Sequence, residues 1–417
     1  MTTAADPTPA PHPLRFLRDA DWLSGERARI FARLWLAISL IVAAAWVLLA
    51  RHDLDILGKP LGTDFASFWT ASQLALAGHP AAAYDIAAHH AAQTRLFGRD
   101  VGYYAFFYPP MFLWICLPLA ALPYLASLGV WLGLTGAAYA RVAREFLGRR
   151  GGWVTVLAFP AVLINVGHGQ NGFLSAALFG GGALLLDRRP ILAGMLLGCL
   201  VYKPHLGLLI PLALLAAGRW RSIAGAAAAA LGLAGLSLWA FGADAWRGFL
   251  ADSAIARMTL ERGLVGDAKM QSVFAAVRLL HGGLGLAYAA QAVVAVGAGA
   301  ALVACQRRAF RHPAEGPALV AAALLASPFL LDYDLILLAI PLAWLLAQGL
   351  ESGFRPWEKI ILAAGFMVPA LSRTLATAVG VPTGPLVVAA VLWLVLRRWL
   401  EASDAPKATD PVASAVV

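Results

Sequence analysis

Apolar runs of bilayer-spanning or near-spanning length alternate along this chain with short polar breaks. The runs at 30–50, 124–146, 153–167, 173–186, 191–202, 206–217, 223–241, 284–304, 318–331, 335–350, 360–375 and 385–396 read as helices crossing a membrane. Arginines gather in every second break: Arg141, Arg144, Arg149 and Arg150, then Arg188 and Arg189, Arg219 and Arg221, Arg307, Arg308 and Arg311, and last Arg397 and Arg398. Arginine-rich connections stay in the cytoplasm, so the intervening breaks face outward. The pattern predicts an all-α polytopic membrane protein of about twelve transmembrane helices with both termini inside. Residues 1–29, which carry Arg15, Arg18, Arg27 and Arg29, form an uncleaved cytoplasmic tail in this reading. Residues 30–400 form the membrane domain, and the polar segment 401–417 is a disordered cytoplasmic tail.

Two breaks on the outward side are long, at 51–123 and 242–283. The first holds the longest polar interruption of the N-terminal half. In it Phe65, Phe68 and Trp69 recur at i, i+3 and i+4, predicting a helix too short to span, with an aromatic stripe on one face. Asp64 stands at its start and Gly78, His79 and Pro80 stop it. An aromatic-faced helix of this length suits a membrane surface. The apolar segment 111–122, punctuated by Pro118 and Pro123, reads as a short spanning helix or as a re-entrant segment of this loop; the second is favoured, because a crossing there would place Arg141, Arg144, Arg149 and Arg150 outside.

Composition narrows the class. Apolar residues make up 60% of the chain and charged residues 13%, with a mean hydropathy of +0.73. A soluble domain is nearer a quarter charged, so lipid solvates most of this surface. The net charge of +9 sits in arginine clusters between apolar runs, which argues for topology and against a nucleic-acid partner. Cys116, Cys199 and Cys305 lie in apolar segments at unrelated spacings and imply neither a disulfide framework nor a zinc site. No phosphate-cradling glycine loop is present. A site facing outward has no supply of ATP or nucleotide sugars, whereas a lipid-linked phosphosugar suits that compartment.

Ionisable groups at membrane depth are the candidates for chemistry. Asp64 is either a helix N-cap or a general base beside an acceptor hydroxyl. Lys203, flanked by Leu200, Val201 and Pro204, either snorkels or meets an anion, for which a lipid-linked phosphate is suited. His168, Gln170 and Asn171 offer donors on a glycine-rich outward turn, or simply connect two helices. Asp332 and Asp334 bracket Tyr333 and fit a metal, sugar hydroxyls or a helix cap. Gln271, in a polar run ahead of an apolar stretch, is placed at an opening to the site.

In order along the chain, DFxxFWxAxxLxLxGxPxxxYD from Asp64, FxYPP from Phe106, GxGQN from Gly167, YKPH from Tyr202 and SPxxxDYDL from Ser327 resemble the membrane glycosyltransferases of family 87, of the GT-C type. The resemblance implies a GT-C-like bundle that transfers a hexose, usually mannose, from a polyprenyl-phosphate donor to a lipid- or glycan-linked acceptor at the outer face of the plasma (inner) membrane. It implies Asp64 as the base, with Lys203, His168, Gln170, Asn171 and His205 at the donor phosphate. Tyr84, Asp85, Tyr108, Gln271, Asp332 and Asp334 would then line the substrates. No cofactor beyond the donor is expected, and use of a divalent metal is left open. Tyr333 and Asp334 stand where the best-known mannosyltransferase members carry a histidine pair. Two rival readings are a lipid-linked polysaccharide polymerase or ligase, for which Arg247, Arg257 and Arg262 in the second long loop speak, and a secondary transporter or flippase, against which stands the lack of an internal repeat.

Overall fold

The computed structural model describes residues 14–149 and 151–404 of the chain. The outer parts of both expected tails, 1–13 and 405–417, lie outside the described residues. Among those described there are helices and three isolated bridges but no strand. Six helices are long and apolar enough to cross a membrane, and five apolar helices of 10–17 residues accompany them. The chain is a multi-pass helical membrane protein; of the crossings expected from sequence, six coincide with helices that are both long and apolar enough to span, and the 124–146 crossing with a 24-residue helix, Tyr124–Leu147.

Helix α1 (Gly25–Leu48) opens on Ser24, whose hydroxyl accepts from the Arg27 amide at 3.3 Å. Most of its apolar residues are exposed, as a helix solvated by lipid requires. Helix α2 (Thr63–Leu76) follows after a tight connection, then α3 (Ile86–Phe97), capped by the Asp85 carboxylate on the Ala88 amide at 2.7 Å. The expectation that the aromatic stripe of α2 lies on a membrane surface does not hold. Phe65, Phe68 and Trp69 are buried: Phe68 packs edge-on against Tyr108, Phe112 and Trp131, Trp69 edge-on against Tyr124, and Phe65 tilted against Tyr124. A one-faced stripe predicts that the face is buried without saying against what, and here the cover is protein.

The short helix α4 (Met111–Cys116) continues as a tighter turn to Ala121. Both ends of this segment return to α2: Ser67 Oγ donates to the Ala105 carbonyl, and Gln73 Nε2 donates to the Ala120 carbonyl. Helix α5 (Tyr124–Leu147) then runs the length of the bundle. After a break before Pro160 come α6 (Pro160–His168), α7 (Gly172–Leu185) and α8 (Pro190–Gly198).

The segment 204–216 leads into α9 (Trp220–Glu261). Glycines let α8 and α9 touch backbone to backbone: a Cβ on Gly194 would sit 1.9 Å from the Ser222 carbonyl oxygen, and one on Gly198 2.3 Å from that of Ala226. The long break expected at 242–283 is largely helical instead. The chain kinks at Gly242 (φ 78°) and stays helical to Glu261, because that stretch is rich in alanine and arginine, and its polarity marks exposure rather than irregular backbone.

Helices α10 (Leu284–Arg308) and α11 (Glu315–Ala326) follow. Every residue of α11 is buried, so it is the axis of the main core, as expected of a helix apolar on all sides. A tight turn over Asp332–Leu338 leads to α12 (Ala339–Ser352), and the chain ends in α13 (Glu358–Val379) and α14 (Thr383–Asp404).

Candidate active site

The start of α2, the α6–α7 turn and the end of α11 meet at one end of the bundle. Two glycines allow this. Gly169 (φ 61°) occupies the left-handed region, and a Cβ on it would lie 2.5 Å from Phe65 Cβ and 3.2 Å from Gly62 Cα. Backbone against backbone, the two turns bring residues 106 positions apart into contact: Gln170 Nε2 donates to Asp64 Oδ2 at 2.9 Å. The Gln170 Oε1 accepts from the Tyr108 hydroxyl at 3.2 Å and from the Asn171 amide at 2.7 Å, so its carboxamide has one orientation available.

Asp64 caps no amide of its helix; Gly62 occupies the cap position instead. Its carboxylate is 26% exposed, with His168 Nδ1 at 3.9 Å and Thr63 Oγ1 holding that same nitrogen at 3.0 Å. The buried carboxamide of Asn171 lies against the Tyr108 hydroxyl, and neither of its polar atoms completes a hydrogen bond of normal geometry. A buried amide without a partner is a group left for a ligand or a solvent molecule.

Beside this cluster, Tyr333 carries a second one. Its ring centroid is 6.1 Å from that of His168 and lies under two ammonium groups, Lys203 at 5.2 Å and Lys269 at 5.5 Å. Lys203 neither snorkels nor stands free. Its Nζ donates to Asp334 Oδ1 at 2.6 Å, with both side chains almost wholly buried. Asp334 Oδ2 accepts the Leu331 amide at 3.3 Å, so this carboxylate both caps the turn and neutralises the lysine. Asp332 accepts from the Tyr333 amide at 2.9 Å and faces the Arg373 guanidinium at 3.7 Å.

The remaining candidates are peripheral or structural. His205 Nδ1 is bound to Ser327 Oγ at 2.8 Å. Gln271 is buried, its amide donating to the Leu330 carbonyl at 2.7 Å. Tyr84 donates its hydroxyl to the Tyr108 carbonyl at 3.0 Å, which braces the FxYPP segment from behind. Asp85 is exposed and serves as the α3 cap, away from the cluster. Among the described residues no three His, Cys, Asp or Glu side chains are arranged to hold a metal ion.

Thr63 and Arg373 were not anticipated. Thr63 carries no signal of its own. Arg373 does carry one, since it interrupts an apolar helix four residues after Pro369, and charge at membrane depth marks a site.

A family model for glycosyltransferase family 87 matches residues 106–328, more than half of the chain. That segment includes Tyr108, His168, Gln170, Asn171, Lys203 and His205, and it ends just before Asp332. No curated protein and no solved structure matches the chain.

Proposed function

The chain belongs to glycosyltransferase family 87, and from that premise we propose that it moves a hexose, in first place mannose, from a polyprenyl-phosphate donor to a hydroxyl of a lipid- or glycan-linked acceptor. The arginine-rich end of the bundle lies opposite the Asp64 cluster, so in this proposal the site faces outward from the plasma membrane. One observation carries the reading: a half-open carboxylate, Asp64, held by a single side-chain donor beside a histidine.

In the proposed step the acceptor oxygen attacks the anomeric carbon while Asp64 takes its proton. The carbon–oxygen bond to phosphate breaks, and the electron pair leaves on polyprenyl phosphate. One base suffices for such a single displacement with inversion, in contrast to the carboxylate pair of glycosidases. Gln170 fixes which carboxylate oxygen is free, since its own acceptor oxygen is bound to Tyr108 and Asn171. Negative charge growing on the phosphate calls for fixed cations nearby.

The test is transfer by the purified protein in proteoliposomes supplied with polyprenyl-phosphate mannose or glucose and a membrane glycolipid extract, read by mass spectrometry. The expected product gains one hexose, and polyprenyl phosphate is released in equal amount. Hexose transfer from a nucleotide sugar and not from either lipid donor would overturn the proposal.

A further inference from the structure

Three carboxylates and three cations surround the proposed site, and their pairing is unequal. Asp334 is closed on Lys203 at 2.6 Å, and Asp332 faces Arg373 at 3.7 Å. Two groups are left: Asp64, which is the base in the reading above, and Lys269, which has no carboxylate within ion-pair distance among the described residues. The contact of the Lys269 ammonium is the Tyr333 ring, at 5.5 Å. An anionic leaving group needs a cation that is not already neutralised, and Lys203 does not meet that condition.

We propose that Lys269, seconded by Arg373, forms the cradle for the donor phosphate, a role distinct from the buried pairing of Lys203. This rests on the polyprenyl-phosphate reading given above. Lys269 is placed rather than loose. Its carbonyl accepts the Asp332 amide at 3.2 Å, Met270 bridges Leu331, and the Gln271 amide donates to Leu330, so a short antiparallel contact pins residues 269–271 to 330–332. Lys269 and Arg373 both act electrostatically on His168 and on Asp332. Arg373 is 56% exposed, and its single pairing is a loose one, so it is able to turn toward a ligand.

The position also suits the chemistry. A chain of contacts links Lys269 to Asp64: the ammonium is 5.5 Å from the Tyr333 ring, that ring is 6.1 Å from His168, and His168 Nδ1 is 3.9 Å from the carboxylate. A displacement at the anomeric carbon places base and phosphate on opposite sides of the sugar. The contacts of Lys269 are with Tyr333 and the 330–332 segment, whereas Gln170 adjoins the base and Asn171 adjoins Gln170. In this assignment Lys203 holds Asp334, and through it the turn that presents Tyr333.

The probe is farnesyl phosphate, a short polyprenyl monophosphate, titrated into the full-length protein in detergent and followed by calorimetry. The parent should bind it, more weakly as salt is raised. Lys269→Met should weaken binding about tenfold or more and flatten the salt dependence, with an unchanged thermal midpoint. Lys269→Gln, which keeps a polar head on the turn, should show the same loss, and Arg373→Gln a smaller one of about threefold. Parent-like binding by both Lys269 variants would overturn the cradle and leave the polyprenyl-phosphate reading standing. A parent that fails to bind farnesyl phosphate would overturn both.

Discussion

The bundle buries charge at both ends, and the two ends do so differently. Helices α7 and α11 run from one to the other, with 14 and 12 residues or roughly 20 Å of helix between them. At the end away from Asp64, Arg219 sets both Nε and Nη2 on the two oxygens of Glu315, at 2.8 and 2.7 Å, and gives Nη1 to Asp187 and the Leu186 carbonyl. Arg398 does the same on Glu358, Gly353 and Ser352. Each is a planar fork that accounts for both oxygens of its carboxylate. At the Asp64 end the cations include lysines, no carboxylate has both oxygens held by one side chain, and a buried carboxamide has no hydrogen-bond partner among the described residues. Closed forks specify a structure. The open set keeps groups available for something that arrives.

The sharpest way to break this contrast is to change one side chain at each end. Asp64→Asn keeps the size and the ability to accept from Gln170 but removes the base. Transfer should fall by about 10²–10⁴, the range for loss of a positioned acid–base group, while the thermal midpoint stays within experimental scatter. A purified Asp64→Asn protein turning over near the parent rate would mean that the open carboxylate is a structural group like those at the far end.

At the opposite end, Arg219→Met should act on stability rather than on chemistry. It strands Glu315 in the core, and breaking a buried pair costs about 3–5 kcal/mol. The variant should unfold at markedly lower temperature, yet whatever remains folded should show the parent's KM. A raised KM with parent-like stability would erase the distinction between the two ends.

Lys203 lies at the open end but is built like the closed one, and it tests where the boundary falls. Lys203→Met leaves Asp334 buried and unpaired, with a loss of about 3 kcal/mol. Lys203→Met combined with Asp334→Leu removes both charges, so most of that stability should return, and transfer should recover to within about tenfold of the parent. If the double variant is stable but inactive, the lysine touches substrate. Thermal unfolding and transfer rate, measured together on the parent, single and double variants, separate these outcomes.

The arginine rhythm and the apolar runs made the helical membrane class and the order of the helices legible from sequence. GHGQN and the Asp64 segment were legible as polar groups in apolar surroundings, although the contact of Gln170 with Asp64 depends on two glycine turns that no spacing announces. Three things were hidden. Lys203 reads as a free charge until the partner 131 residues later is in view. The aromatic stripe of α2 has the same pattern whether lipid or protein covers it. The stretch after Gly242 is polar enough to look like a loop while its alanines and arginines favour helix. In each case sequence gives the property of a face, and tertiary contact decides its use.

The smallest effect expected concerns a group that is on the Asp64 side yet belongs to neither class of buried charge. His89 on α3 is fully buried and its Nδ1 donates to the Ala83 carbonyl at 3.1 Å, which requires a proton on that nitrogen. Its other nitrogen has no partner, and the Tyr103 ring stands edge-on 6.0 Å away. Burial, set against the bond to Ala83, pushes the imidazole down to about 4. A histidine in the unfolded chain titrates near 6.5, so between these values the unfolded state binds more protons than the folded one. Stability therefore falls as pH drops below about 6.5 and levels off below about 4; at pH 5 the loss is about 2 kcal/mol. Mild acid should therefore loosen the α2–α3 region. Hydrogen exchange at pH 7.5 and pH 5 should show faster exchange in α3 at the lower pH. In His89→Gln, which retains a donor for Ala83, the α3 difference should shrink. Equal protection of α3 in the parent at both pH values would show that this histidine does not couple the α2–α3 region to acid, and the two ends would then differ in chemistry alone.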